Sequence, residues 1–177
     1  LDRTQANIIM SLYGSLIYMS GIIGGWIADR ITGTQKAVFY GGIMIMAGHI
    51  ALSLPMGAIG LYVSMVFIIV GTGLLKPSVS AVVGELYAAN DARRDSGFSI
   101  FYMGINMGAF LAPLLVGSVQ KGIGFHAGFA VAAVGMFLGL IVFWMSRKNL
   151  GLAGAVPTNP MNAIEKKKSA RNFTIGG

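Results

Sequence analysis

Residues 61–83, LYVSMVFIIVGTGLLKPSVSAVV, carry a single charge, Lys76, in a run that is otherwise apolar or small. At 1.5 Å of rise per residue, such a run coiled as a helix crosses a hydrocarbon core roughly 30 Å thick. Four further apolar stretches flank it, at about 8–28, 37–54, 98–119 and 127–145, and short links holding charges, Gly or Pro separate them. Inside lipid every backbone N–H and C=O must be satisfied within the spanning structure, which leaves helices or closed barrels. Runs this long select helices, so the expected fold class is all-α, a polytopic membrane helix bundle. Its domain plan is five transmembrane helices in residues 1–148 and a cytoplasmic linker over 149–177.

Composition points the same way. Of the residues, 55% are hydrophobic and 11% are charged, against about a quarter charged in a soluble domain. Glycine, at 26 of 177 residues, suits bundles in which small residues let helix backbones approach. There is no cysteine, hence no disulfide framework, thiolate metal site or thiol nucleophile, and two histidines are too few for a zinc site. Nothing argues for an enzyme, a metal or a cofactor. The net charge of +7 does not indicate nucleic acid, because the basic residues gather at particular helix ends.

Their placement sets the orientation, since cytoplasmic loops hold an excess of Lys and Arg. Arg30, Lys36, Arg93, Arg94, Arg147, Lys148, Lys166, Lys167, Lys168 and Arg171 fall on one side, and only Arg3 and Lys121 on the other. The links after the first and third helices and the C-terminal tail are therefore expected in the cytoplasm, in a multi-pass protein of the plasma membrane, the inner membrane if the cell is bacterial. The Lys166-Lys167-Lys168 run reads as a positive-inside linker ahead of a lipid-surface role. The chain opens Leu1-Asp2-Arg3, without a signal pattern, and the expectation is that further segments precede and follow it.

Lys76 belongs to neither side. Glu85 marks the cytoplasmic end nine residues later, roughly 14 Å away and beyond a lysine's snorkelling reach. An ammonium at that depth is costly and faces a cavity or a partner, and Pro77 beside it removes a helix hydrogen bond. Tyr18, eleven residues before Asp29, and Asn106, ten after Ser96, lie at about the same depth, 15 to 17 Å in. Tyr102 shares the face of Asn106, one turn nearer the cytoplasm. For Tyr18 and Asn106 two readings stand, substrate contact or an interhelical hydrogen bond. Gly24-Gly25-Trp26-Ile27-Ala28-Asp29-Arg30-Ile31-Thr32-Gly33 ends the first helix, and reads either as a conformational latch built on Gly25, Asp29 and Arg30 or as a plain helix stop with a charged cap.

Other expectations are structural. Asp95 and Ser96 are candidates to cap the fourth helix, and Gly104-x-x-x-Gly108 and Gly135-x-x-x-Gly139 to be close-packing faces. His49 reads as a hydrogen-bonded packing residue ahead of a proton relay, His126 as interfacial, and the methionines as core filler.

Three motifs in order resemble one family. Gly24-Gly25-x-x-Ala28-Asp29-x-x-x-Gly33, Gly71-Thr72-Gly73-x-x-Lys76-Pro77 and Phe101-Tyr102-x-x-Ile105-Asn106-x-Gly108 are similar to signatures of the proton-dependent oligopeptide transporters within the major facilitator superfamily. The resemblance implies two six-helix halves with substrate held at the midplane between them. This chain would supply helices two to six of the N-terminal half, completed by a first helix and a C-terminal half of the same transporter. It further implies proton-coupled symport of di- and tripeptides by alternating access, with the proton as coupling ion. Lys76 would serve coupling and peptide binding, Asn106 and Tyr18 the peptide pocket, and Asp29 the latch. Ala112-Pro113-Leu114-Leu115-Val116-Gly117 stands where antiporters carry Gly-Pro-x-x-Gly-Gly, which favours symport. The family's Glu-x-x-Glu-Arg proton cluster does not occur here, and no acidic residue lies inside the five runs. Two rivals fit the same residues: a carrier of nitrate or another small anion, and a membrane peptide sensor that moves nothing.

Overall fold

The computed structural model describes residues 2–162 and 165. Five long helices follow one another, α1 (Arg3–Ile27), α2 (Thr34–Ser53), α3 (Gly57–Glu85), α4 (Arg94–Gly122) and α5 (Phe125–Leu150), with no strand among the described residues. All five are long and apolar enough to cross a membrane. Several extend past the apolar runs. α1 starts five residues before Ile8, because Asp2 accepts from Arg3 N–H at 2.7 Å while Gln5 Oε1 accepts from Asp2 N–H at 3.3 Å, a reciprocal cap.

In space the neighbours run α1–α3–α2–α5–α4, and α3 barely touches α4. Glycine sets the crossings. A Cβ on Gly24 would run into the Gly73 carbonyl, and one on Gly73 would meet Ser20 at 2.6 Å, so α1 and α3 touch backbone to backbone. There Ser20 Oγ donates to Ile69 O at 3.0 Å across the interface. Gly41 and Gly71 face each other between α2 and α3, where either Cβ would lie 2.6–2.7 Å from the other's carbonyl oxygen. These contacts stand in for the hydrophobic drive that lipid does not provide. Accordingly the core holds few large side chains: Ser64 and Ser78 are sealed in, and Ala37, Val38, Ile45 and Val82 are among the buried hydrophobic residues.

Two expectations fail. Gly104, Gly108, Gly135 and Gly139 have nothing within 4 Å of a built Cβ. Their four-residue spacing aligns them, but among the described residues no helix lies against them. Asp95 and Ser96 do not cap α4, which begins at Arg94. Asp91 does that work from the loop: its carboxylate accepts Arg93 N–H at 2.9 Å and its carbonyl accepts Arg94 N–H at 3.0 Å. Arg93 also donates Nη2 to Asp91 Oδ2 at 2.8 Å, and these side-chain and backbone hydrogen bonds lower the Asp91 carboxyl to about 2.

Between α1 and α2 the chain widens into a π turn over Ala28–Thr32, closed by Gly33 N–H on Ala28 O at 2.9 Å. Gly33 has φ +82°, and a Cβ there would lie 2.9 Å from Gly154 O, so both conformation and space demand glycine. The contact exists because residues 151–161 fold back over this turn. Gln35, 3% exposed, gives its backbone N–H to Gly154 O at 2.9 Å and its side-chain amide to Ala153 O at 2.6 Å. Asn159 N–H reaches Asp29 O at 3.0 Å. The segment read as a linker is docked through residue 161, because buried polar groups on the turn need its carbonyls. The Lys166-Lys167-Lys168 run and Arg171 lie outside the described residues.

Candidate functional site

Lys76 sits on the exposed face of α3, one residue before Pro77. Its ammonium lies over the ring of Tyr18 on α1, 5.2 Å from the centroid, within the range of a cation–π contact. The crossing of Gly24 on Gly73 puts the two helices close enough for this. Tyr18 remains 75% exposed, so the pair opens onto the unpacked side of the bundle. A Cβ on Gly25, one residue from the crossing, would meet Pro77 Cβ at 3.7 Å, an ordinary contact distance.

Asn106 and Tyr102 stand on α4, also exposed. Asn106 Nδ2 donates to Tyr102 O at 2.8 Å within its own helix, and the Tyr102 ring stacks on Phe98 with centroids 6.4 Å apart. Among the described residues no bond joins this pair to Lys76. The structure therefore brings Tyr18 and Lys76 together and holds Asn106 and Tyr102 apart on a helix of their own.

The expected latch residues meet the tail. Arg30 Nη2 pairs with Glu165 Oε1 at 2.9 Å, and Arg30 Nη1 donates to Asn159 O at 3.2 Å. Glu165 also accepts Asn162 N–H at 3.0 Å. That backbone bond, with Arg30 adding to it, holds the Glu165 carboxyl below the usual carboxylate range. Asp29 is exposed, and its contribution is the backbone carbonyl bonded to Asn159. Next to it Thr34 Oγ1 donates to Glu85 Oε1 at 3.3 Å, tying the start of α2 to the end of α3.

Sequence reasoning missed Ser20, Thr34 and Gln35. Ser20-x-x-x-Gly24 was a readable small-residue spacing. Gln35 carried no signal, since its partners are backbone carbonyls more than a hundred residues away. His49 bonds Ile45 O at 2.8 Å in its own helix, and His126 bonds Leu52 O at 2.9 Å across the outer ends of α2 and α5.

A family profile described as the POT family matches residues 35–168. The chain belongs to the POT family. Among POT relatives, the Bacillus subtilis (strain 168) protein named uncharacterized transporter YclF is 62% identical over 99% of this chain and 35% of its own length. A di-/tripeptide transporter of Lactococcus lactis subsp. cremoris is 48% identical over the same shares. A crystal structure of a mutant POT peptide transporter in complex with alafosfalin superposes with a TM-score of 0.95 at 62% identity, covering 99% of this chain and 36% of that one. The chain thus spans about a third of the length of the POT proteins it resembles. With its five membrane-crossing helices, it is a multi-pass membrane protein.

Proposed function

We propose that this chain forms helices two to six of a proton-coupled di- and tripeptide symporter that works by alternating access, completed by a preceding first helix and a second half. The observation that carries the reading is the Lys76 ammonium, deep in α3 and exposed, over the Tyr18 ring. A cation–π contact contributes roughly 0.5–2 kcal/mol but leaves ammonium donors without acceptors. At that depth an unmet cation is costly, so the site favours a ligand carboxylate, which a peptide supplies at its C-terminus. The L. lactis relative named a di-/tripeptide transporter supports peptide as the substrate class. Exchange of that carboxylate for an acidic side chain of the remaining helices, as protons arrive, would couple binding to the gradient. Tyr18, Tyr102 and Asn106 would contact the peptide, and Gly25, Asp29 and Arg30 would form the latch. The coupling ion is the proton, with no cofactor.

Uptake of labelled dipeptide by the full-length transporter in liposomes, under an acid-outside gradient, tests this. Accumulation that collapses with a protonophore is expected. An anion carrier would ignore dipeptide and a sensor would accumulate nothing, so either result would overturn the proposal.

A further inference from the structure

Away from the Lys76 face, α2 and α5 pack side by side and leave a furrow on their outer surface. One part, of about 450 Å³, lies among Met46, Ile50, Ala130, Val134 and Phe137. A second continues it through Phe39, Ile43 and Ile141 to Trp144, sharing Met46 and Phe137 with the first. A third takes Trp144 on to Arg147 and Lys148. On α2 the stripe 39–43–46–50 has helical spacing, and three residues before Phe39 it reaches Lys36. On α5 the matching stripe 130–134–137–141–144 ends at Arg147 and Lys148. Both apolar stripes thus terminate in exposed basic residues at the same, cytoplasmic end of the bundle.

We infer that this furrow binds an anionic phospholipid of the cytoplasmic leaflet, one acyl chain lying between α2 and α5 and the headgroup phosphate held by Lys36, Arg147 and Lys148. The inner half of the furrow fits one leaflet: Phe39 to Met46 on α2 and Phe137 to Trp144 on α5 each span about 10 Å along the helix, within the roughly 15 Å depth of a leaflet. Trp144 sits between the apolar and basic parts, where an indole favours the headgroup level. Charge decides the lipid, because Arg147 and Lys148 line the third part, Lys36 follows the α2 stripe at the same end of the bundle, and the described furrow walls hold no acidic residue. A basic pocket between cytoplasmic helix ends is suited to an anionic headgroup. A cytoplasmic excess of positive charge would by itself attract anionic lipid anywhere on that face, and what distinguishes this site is its dependence on the furrow.

Native mass spectrometry of the delipidated full-length protein, titrated with phosphatidylglycerol and with phosphatidylcholine of the same acyl chains, tests the assignment without any transport readout. Saturable binding of phosphatidylglycerol is expected, tighter by on the order of a hundredfold, about fivefold for each of three basic residues. K36Q/R147Q/K148Q should remove that preference, and Ile43→Trp, which fills the inner half of the furrow from a half-buried position, should remove the saturable site while leaving the charges in place. Equal affinity for the two lipids, or phosphatidylglycerol binding untouched by Ile43→Trp, would overturn it. So would the absence of any saturable adduct, the result expected if another helix of the polypeptide or a second copy fills the furrow.

Discussion

Lys76 is a long cation whose neighbour is a ring face, so its charge is screened on one side and open on the other. Replacing it by Ala in the full-length protein removes both the charge and the cost of holding it at that depth. On the proposed function, expression and insertion should therefore hold while gradient-driven dipeptide accumulation falls to background, and uptake at matched expression decides the matter. Lys76→Arg should rescue poorly, because a planar guanidinium has another geometry and stays charged throughout. Wild-type accumulation by Lys76→Ala would make the lysine structural. Lys76 and Tyr18 were legible in sequence because depth can be counted along a helix from its charged ends. Gln35 was not, since nothing local marks a glutamine whose partners are the carbonyls of residues 151 and 153.

Among the elements, α1, α2 and α3 are joined by glycine contacts that leave no room for a methyl group. Gly24→Ala must push the α1 backbone off the Gly73 carbonyl, and is expected to cost about 1–3 kcal/mol as overpacking does. Gly104→Ala, in open space within this chain, should hold or slightly raise the melting temperature, since Ala favours a helix interior by about 0.5–1 kcal/mol over Gly, and thermal unfolding followed by size exclusion compares the two. The span count and the apolar runs were readable in the sequence, but the interfaces were not. Gly-x-x-x-Gly spacing pointed to α4 and α5, whereas the crossings use glycines whose partners sit on other helices. The docked tail adds a pH dependence. Glu165 has a lowered pKa in the fold, so its bond to Arg30 contributes fully above the ordinary carboxylate range and is lost as pH falls through the lowered value. Hydrogen-exchange protection at Gln35 and at the amide of Asn159, taken relative to the intrinsic exchange rate at each pH, should be high at neutral pH and lower after acidification. Glu165→Gln should show the lower protection already at pH 7, and identical protection in that variant would exclude the carboxylate from holding the tail.

For the whole molecule, the ten-to-two bias of basic residues predicts which ends face the cytoplasm, and a chain without cysteine makes single reporters clean. Cysteines at Ala58 and Gly122 should label from outside with an impermeant thiol reagent, and one at Asn90 should not. Ala58 suits the reporter better than the adjacent Gly57, whose φ of +60° is strained for any other residue. The reversed pattern would invert the topology. Fold class could be read from sequence because lipid imposes a length rule on every span. The spacing between α3 and α4 could not, since no residue of α4 is buried in the bundle. That last feature has a mechanical side. α1, α2 and α3 are riveted into a plate, while α4 hangs from α5 along one seam and barely touches α3. Torque on α4 would change its spacing from α3 without shearing a single rivet. Paired spin labels across α3 and α4 should give a broader distance distribution than a pair across α1 and α3.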